Sequence, residues 1–246
     1  MEQDENKRTV FYHGTSCKDF EKFDEKRIGT AHDRGWYGHG FYFCYTAGEA
    51  SYYGSYVRAA KLNIKNPFFF QEELGSFENQ HLSIFGDMSA FAINLSKKFP
   101  ELANKVKICA VISYDGMGYA QQTKILTLQE YAKRVLDIYN DQEFSIFECI
   151  DRDKSFFAYK YKEDYNCLHY RFSSREEAEL NRLDMATVYV HNNLYAHVET
   201  HIPEHFMEDI AQEFSNILKS RGYDGIFQSK DGDEVVCFYP EQVEWV

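Results

Sequence analysis

Tyr12-His13-Gly14-Thr15 places an imidazole at the exit of a short apolar run, directly before a residue without a Cβ. Such a backbone lets a flat group come close, and its N–H and C=O can pair with an amide. The alternative is an ordinary strand-to-turn exit with a core histidine. Gly38-His39-Gly40-Phe41-Tyr42-Phe43, followed by Ala50-Ser51-Tyr52-Tyr53, offers one tyrosine on a strand and another on the next helix. Two such rings can wall a slot for a planar cationic ring, which stacks on them and is attracted to their π faces. In so aromatic a chain they can equally be core. The glycines do not complete GxGxxG, so a Rossmann dinucleotide turn is not supported. Glu234 opens an otherwise apolar strand, Val235-Val236-Cys237-Phe238-Tyr239. A carboxylate fixed beside a sugar stabilises the positive charge that builds as an N-glycosidic bond breaks; an edge glutamate beside a turn is the bland reading. The histidines of His197-Val198-Glu199-Thr200-His201-Ile202-Pro203-Glu204-His205 are spaced HxExH rather than HExxH, and Pro203 would interrupt a helix, so no metal is expected there.

These residues must be positioned by a chain of 246 residues, 44% hydrophobic and 27% charged, a globular composition. With 21 Phe and 19 Tyr, rings can fill a core and still line a cleft. The net charge is −12, which repels a phosphate backbone unless a local basic patch intervenes. The six cysteines form no CxxC pair, so reduced thiols are expected rather than a zinc or disulfide scaffold. No stretch is long and apolar enough to span a bilayer and the first residues carry no apolar leader, so a cytoplasmic chain without membrane contact is expected.

Periodicity supplies the elements. Thr9–His13, Gly40–Tyr45 and Arg58–Ile64 read as strands, with a short helix from Ala47 to Tyr56. Phe91, Leu95 and Phe99 share a helical face that stops before Pro100, and Lys107–Ile112 looks like a strand. Thr127 and Glu130 have capping-box spacing. Arg175–Leu183 predicts an exposed helix and Thr187–Val190 a short strand. Phe206, Ile210, Phe214, Ile217 and Leu218 trace one helical stripe ending at Gly222, before strands Gly225–Gln228 and Glu234–Tyr239. Strands at both ends with helices between them predict an α+β fold.

In this order the blocks resemble the ADP-ribosyltransferase superfamily, in its His-Tyr-Glu branch with diphtheria toxin and the poly(ADP-ribose) polymerases. The similarity is closest to the domains of phage polyvalent proteins and of bacterial toxins and effectors. Phe11–Thr15 resembles the first strand, Gly38–Phe43 with Ala50 and Tyr53 the second strand and following helix, and Glu234–Val243 the last strand. Leu62–Phe68 and Gly222–Ile226 resemble further blocks. The resemblance implies a single domain over 1–246, a split β-sheet core from about 9–68 and 206–243, and a long insertion at 69–205 in which no block resembles the family.

It also implies roles. Gly14 would hold the carboxamide of nicotinamide and His13 the adenosine ribose of NAD, with Thr15 nearby. Tyr42 and Tyr53 would sandwich the nicotinamide, Tyr52 being one position off the family spacing. Glu234 would bind the nicotinamide ribose and, with His13 and Tyr53, form the catalytic set. Arg34, by charge alone, would meet the diphosphate. The expected activity is NAD-dependent mono-ADP-ribosyl transfer without a metal, to protein or to RNA or single-stranded DNA. A toxin, effector or phage protein would have an antitoxin or inhibitor as partner. A non-catalytic module that keeps the fold, an NAD glycohydrolase and a 2′-phosphotransferase are the alternatives. Basic and aromatic residues interleave in Arg152–Lys162 and Tyr170–Phe172, either a stacking groove for single strands or a strand pair with solvated lysines.

Overall fold

A computed structural model describes residues 10–30, 35–75, 85–112, 122–162, 165–194, 198–201 and 206–246. The chain packs as two compact units, 1–73 with 205–246, and 74–204. The first unit begins with β1 (Phe11–Thr15), β2 (Phe41–Cys44), α1 (Ala47–Ala50), β3 (Tyr56–Leu62), β4 (Pro67–Phe69) and α2 (Phe70–Leu74), whose last residue crosses into the second. The second unit continues with α3 (Phe85–Lys98), α4 (Pro100–Ala103), β5 (Lys107–Ile112), β6 (Gln122–Thr127), α5 (Leu128–Tyr139), β7 (Phe144–Asp151), β8 (Lys154–Tyr161), β9 (Tyr165–Phe172), α6 (Arg175–Leu180), α7 (Arg182–Leu194) and β10 (Val198–His201). The chain then returns to the first unit through α8 (Phe206–Ser220), β11 (Gly225–Phe227), β12 (Glu234–Cys237) and β13 (Val243–Trp245).

The first unit is built on a seven-stranded sheet ordered β13-β3-β1-β2-β12-β11-β4. Chain-end strands therefore meet at its centre, where β12 pairs antiparallel with β2, Glu234 opposite Cys44 and Val236 opposite Tyr42. The ladder between β1 and β2 is held at Tyr12–Cys44, and this weak seam splits the sheet. One face is apolar: Phe11, Phe41, Phe43, Ala60, Val235 and Cys237 are buried there, with Phe23 and Trp245 packed against them. The α8 stripe turns Ile210, Phe214 and Leu218 inward, and Gly222 (φ 87°) ends the helix with the Tyr223 N–H on the Leu218 carbonyl at 3.1 Å.

Three junctions of this sheet are clamped by side chains. Asp224 accepts the N–H groups of Lys65 and Asn66 at 2.8 Å each. Asn66 donates to the Gly222 carbonyl at 3.0 Å. Gln242, buried just before β13, donates through Nε2 to the Asp224 carbonyl and accepts the N–H groups of Phe238 and Tyr239. The blocks Leu62–Phe68, Gly222–Ile226 and Pro240–Val243 thus form one polar lock around the chain crossings.

In the second unit, α3 buries Phe91 and Leu95, and Phe99 closes its end. The capping box at α5 is formed: Thr127 accepts the Glu130 N–H at 3.1 Å, and the Glu130 carboxylate accepts the Thr127 N–H at 2.8 Å. Thr187–Val190 is helix within α7, not the expected strand. Met185 through Val190 are all buried, so their β-branched, aromatic run marks an enclosed helix rather than a sheet. In this interior the Ser89 hydroxyl pairs with those of Tyr131 (3.0 Å) and Thr187 (2.5 Å). In the meander of β7, β8 and β9, Phe156 and Tyr159 turn inward, while Arg171 pairs with Asp151 at 2.8 Å and Lys162 with Asp141 at 3.7 Å. Those rings and cations are thus engaged within the unit.

Among the described residues no helix is long and apolar enough to cross a membrane.

Candidate active site

Cys44 lies opposite Tyr12 on one side and Glu234 on the other, so Tyr12, Cys44 and Glu234 form a row on one face of the sheet. Tyr42 and Gly14 belong to the same face by the period-two alternation of strands. Over this face sits α1, capped by Thr46, whose Oγ1 accepts the Glu49 N–H at 3.2 Å. The helix ends at Ala50 instead of running to Tyr56, and Tyr52 and Tyr53 form the turn beyond it.

Two glycines seat that turn. A Cβ on Gly14 would run into the Ala50 carbonyl oxygen, and one on Gly54 would strike the backbone of Thr15. The bare Cα of Gly14 therefore admits α1. Packed in this way, Tyr53 reaches across 181 positions of chain to donate from Oη to Glu234 Oε1 at 2.7 Å. Tyr52, 88% exposed, points to solvent, whereas Tyr53 is 47% exposed over the carboxylate. Gln228 shapes the approach to Glu234: its Oε1 accepts the N–H groups of Asp233 (2.8 Å) and Glu234 (3.3 Å), and its N–H bonds the Glu234 carbonyl (2.9 Å). No local pattern marks Gln228; only the fold of the turn gives it this task.

Tyr42 spends its hydroxyl on the preceding loop, donating to the Gly38 carbonyl at 2.8 Å and accepting the N–H groups of Tyr37 (3.0 Å) and Gly38 (3.2 Å). Its ring is thereby fixed beside the carboxylate row. Burial and the neighbouring carboxylates Glu234, Glu49 and Asp233 push the Cys44 thiol up to about 12. Burial, the larger cause, opposes charge of either sign; only the share owed to the three carboxylates favours a positive charge there.

His13 takes the other face. Its ring packs on Phe23 (centroids 4.8 Å), Phe43 (5.5 Å) and Trp245 (6.5 Å), among the apolar core. Nδ1 lies 2.8 Å from the Tyr42 carbonyl, and because a carbonyl only accepts, Nδ1 carries the proton. The imidazole thus bridges the strands where their ladder has ended, and its neutral form offers the Nε2 lone pair as an acceptor. Burial lowers its pKa below the ordinary 6.5; the Tyr42 hydrogen bond opposes this and the Arg58 charge adds to it. The unfolded histidine is protonated near 6.5 and the folded one only at lower pH. The stability it contributes is therefore present above 6.5 and lost as pH falls from there to the folded value. Histidine NMR titration is expected to place the His13 midpoint below 6.5, and His13→Gln to flatten the fall in unfolding free energy over that window.

Thr15 Oγ1 accepts the Cys17 N–H at 3.1 Å at the exit of β1. Arg34 lies outside the described residues. Of the histidine-rich stretch, Val198–His201 is strand β10 and the rest lies outside them. Among the described residues no group of His, Cys, Asp and Glu is arranged to hold a metal.

An α+β fold built on a sheet split between β1 and β2 is of the ADP-ribosyltransferase type. The chain belongs to the family described as ADP-ribosyltransferase in polyvalent proteins, which matches residues 4–150. No curated protein and no solved structure matches it. The matched stretch holds His13, Gly14, Thr15, Tyr42 and Tyr53 and ends before Glu234. It also runs past residue 68 well into the second unit, so the stretch that resembled nothing in the sequence is in part the family's own. The family uses NAD as its co-substrate.

Proposed function

We propose that the chain is an NAD-dependent mono-ADP-ribosyltransferase acting on a macromolecular acceptor. The observation that carries this reading is the Tyr53–Glu234 hydrogen bond, a carboxylate held at a half-exposed aromatic surface by a strand and a turn from opposite ends of the sequence. Nicotinamide would stack between the rings of Tyr42 and Tyr53, its carboxamide on the backbone of Gly14, with Thr15 close by. The C1′–N bond breaks with its electron pair leaving on nicotinamide, which departs neutral. Glu234 steadies the positive charge on the ribose until the acceptor's nucleophile bonds C1′ and gives up its proton. The adenosine ribose would donate a hydroxyl to Nε2 of His13. His13 and the Tyr53–Glu234 pair lie on opposite faces of the sheet, so this reading requires the dinucleotide to pass where β1 and β2 part.

Protein side chains are the default acceptor, with RNA or single-stranded DNA the other class. An intracellular toxin, effector or phage-conflict role, with a cognate inhibitor protein, fits the family's setting. Incubation with labelled NAD and whole-cell lysate, followed by separate protease and nuclease digestion, tests both halves. Label lost to protease alone identifies a protein acceptor, and label lost to nuclease alone a nucleic acid. Nicotinamide release without macromolecular label would make the protein a glycohydrolase, and no release at all would sink the proposal.

A further inference from the structure

Arg58, on β3, stands directly opposite His13 in the β1–β3 ladder and so shares its face. Its guanidinium lies 3.9 Å from the centre of the Trp245 ring and 4.9 Å from that of Phe20. Nη1 donates to the Phe20 carbonyl. Trp245 in turn donates from Nε1 to the Glu21 carbonyl at 3.0 Å, so stem, ring and loop fix one another. Among the described residues no carboxylate pairs with this half-buried cation, in a chain with 39 acidic residues against 27 basic. A guanidinium carries five donors in a plane; here the Trp245 and Phe20 rings lie beside it and one donor goes to the Phe20 carbonyl, so the other donors remain for a further acceptor. A half-buried cation held in place without a counter-ion is preorganised for an anion.

We propose that Arg58 contacts the diphosphate of NAD on the His13 side of the sheet. The inference rests on the NAD reading above, in which Nε2 of His13 accepts a hydroxyl of the adenosine ribose. The 5′-phosphate of that ribose is then within one side chain's length, and Arg58 is the cross-strand neighbour. Arg34, to which charge alone assigns the same contact, lies outside the described residues. Arg58 binds and positions; it takes no part in bond cleavage.

The test compares Arg58→Met and Arg58→Gln with the unaltered chain, using calorimetric binding of ADP-ribose and of nicotinamide, together with steady-state nicotinamide release. The expected result is ADP-ribose affinity reduced about 10–100-fold, less salt dependence of that binding, and unchanged nicotinamide affinity. KM for NAD rises more than kcat falls. Arg58→Gln keeps a planar group and a donor for the Phe20 carbonyl, so it carries the measurement should Arg58→Met unfold. Equal ADP-ribose affinity in a folded variant overturns the inference, as does parallel loss of nicotinamide binding, which marks a purely structural arginine. If the unaltered chain binds nicotinamide and turns over NAD while the variants behave like it, this inference alone fails. If it binds neither ligand and releases no nicotinamide, the NAD reading fails with it.

Discussion

Glu234→Gln is expected to lower nicotinamide release and ADP-ribosyl transfer by about 10²–10³-fold while the melting temperature stays close to that of the parent. The substitution preserves volume, and the side chain is half-buried at a strand end rather than in the core. The backbone pairing with Cys44 and the Gln228 bonds to the turn do not involve the carboxylate. Tyr53 Oη can still donate to an amide oxygen. What disappears is the negative charge, and with it the part of the interaction that grows as the ribose becomes cationic. The loss should therefore fall mainly on kcat, with KM for NAD little changed. Initial rates with labelled NAD, read beside a melting curve, check this. Undiminished turnover in a folded variant would remove Glu234 from the chemistry.

Local patterns told most where one segment decided its own structure. The Thr127–Glu130 box and the α8 stripe needed no distant partner, and both stand as expected. Glu234 was legible because a charge opening an apolar strand stands out. Failures came where distant packing decides. The expected strand at Thr187–Val190 is helix because the second unit buries that run on every side. The helix expected to reach Tyr56 stops at Ala50, since Gly54 must drop against Thr15. The face taken by the His13 ring followed from the register of β1 against β2 and β3, and register is invisible in one strand. Gln228, Asp224 and Arg58 owe their roles to partners on other strands or across a turn, so spacing alone could not single them out.

The largest expected change in stability lies away from the site. Gln242→Leu should destabilise the first unit by about 3 kcal/mol or more, since each buried polar group left without a partner costs about 1–3 kcal/mol. Gln242 is 7% exposed. Its Oε1 accepts the Phe238 N–H at 3.1 Å and the Tyr239 N–H at 3.0 Å, and its Nε2 donates to the Asp224 carbonyl at 2.8 Å. Leucine fills the space but removes the partner of all three groups, the Phe238 N–H being buried and the Tyr239 N–H and Asp224 carbonyl part-buried. Its own backbone carbonyl would still accept the Asn63 N–H at 2.8 Å, so β13 keeps part of its anchorage and the fold should survive at low temperature. Denaturant unfolding gives the free-energy loss. At a total stability of about 5–15 kcal/mol, that loss is a large share. Gln242→Glu keeps an acceptor for both N–H groups but loses both Nε2 donations, to the Asp224 and Asn63 carbonyls, and sets an oxygen against them, so it should also destabilise the unit. Below the unfolding transition, turnover per folded molecule should match the parent in both variants, since Gln242 acts by holding the crossings that bring β12 to β2. A Gln242→Leu protein as stable as its parent would refute the lock, and one that is fully folded but inactive would move this glutamine into the site.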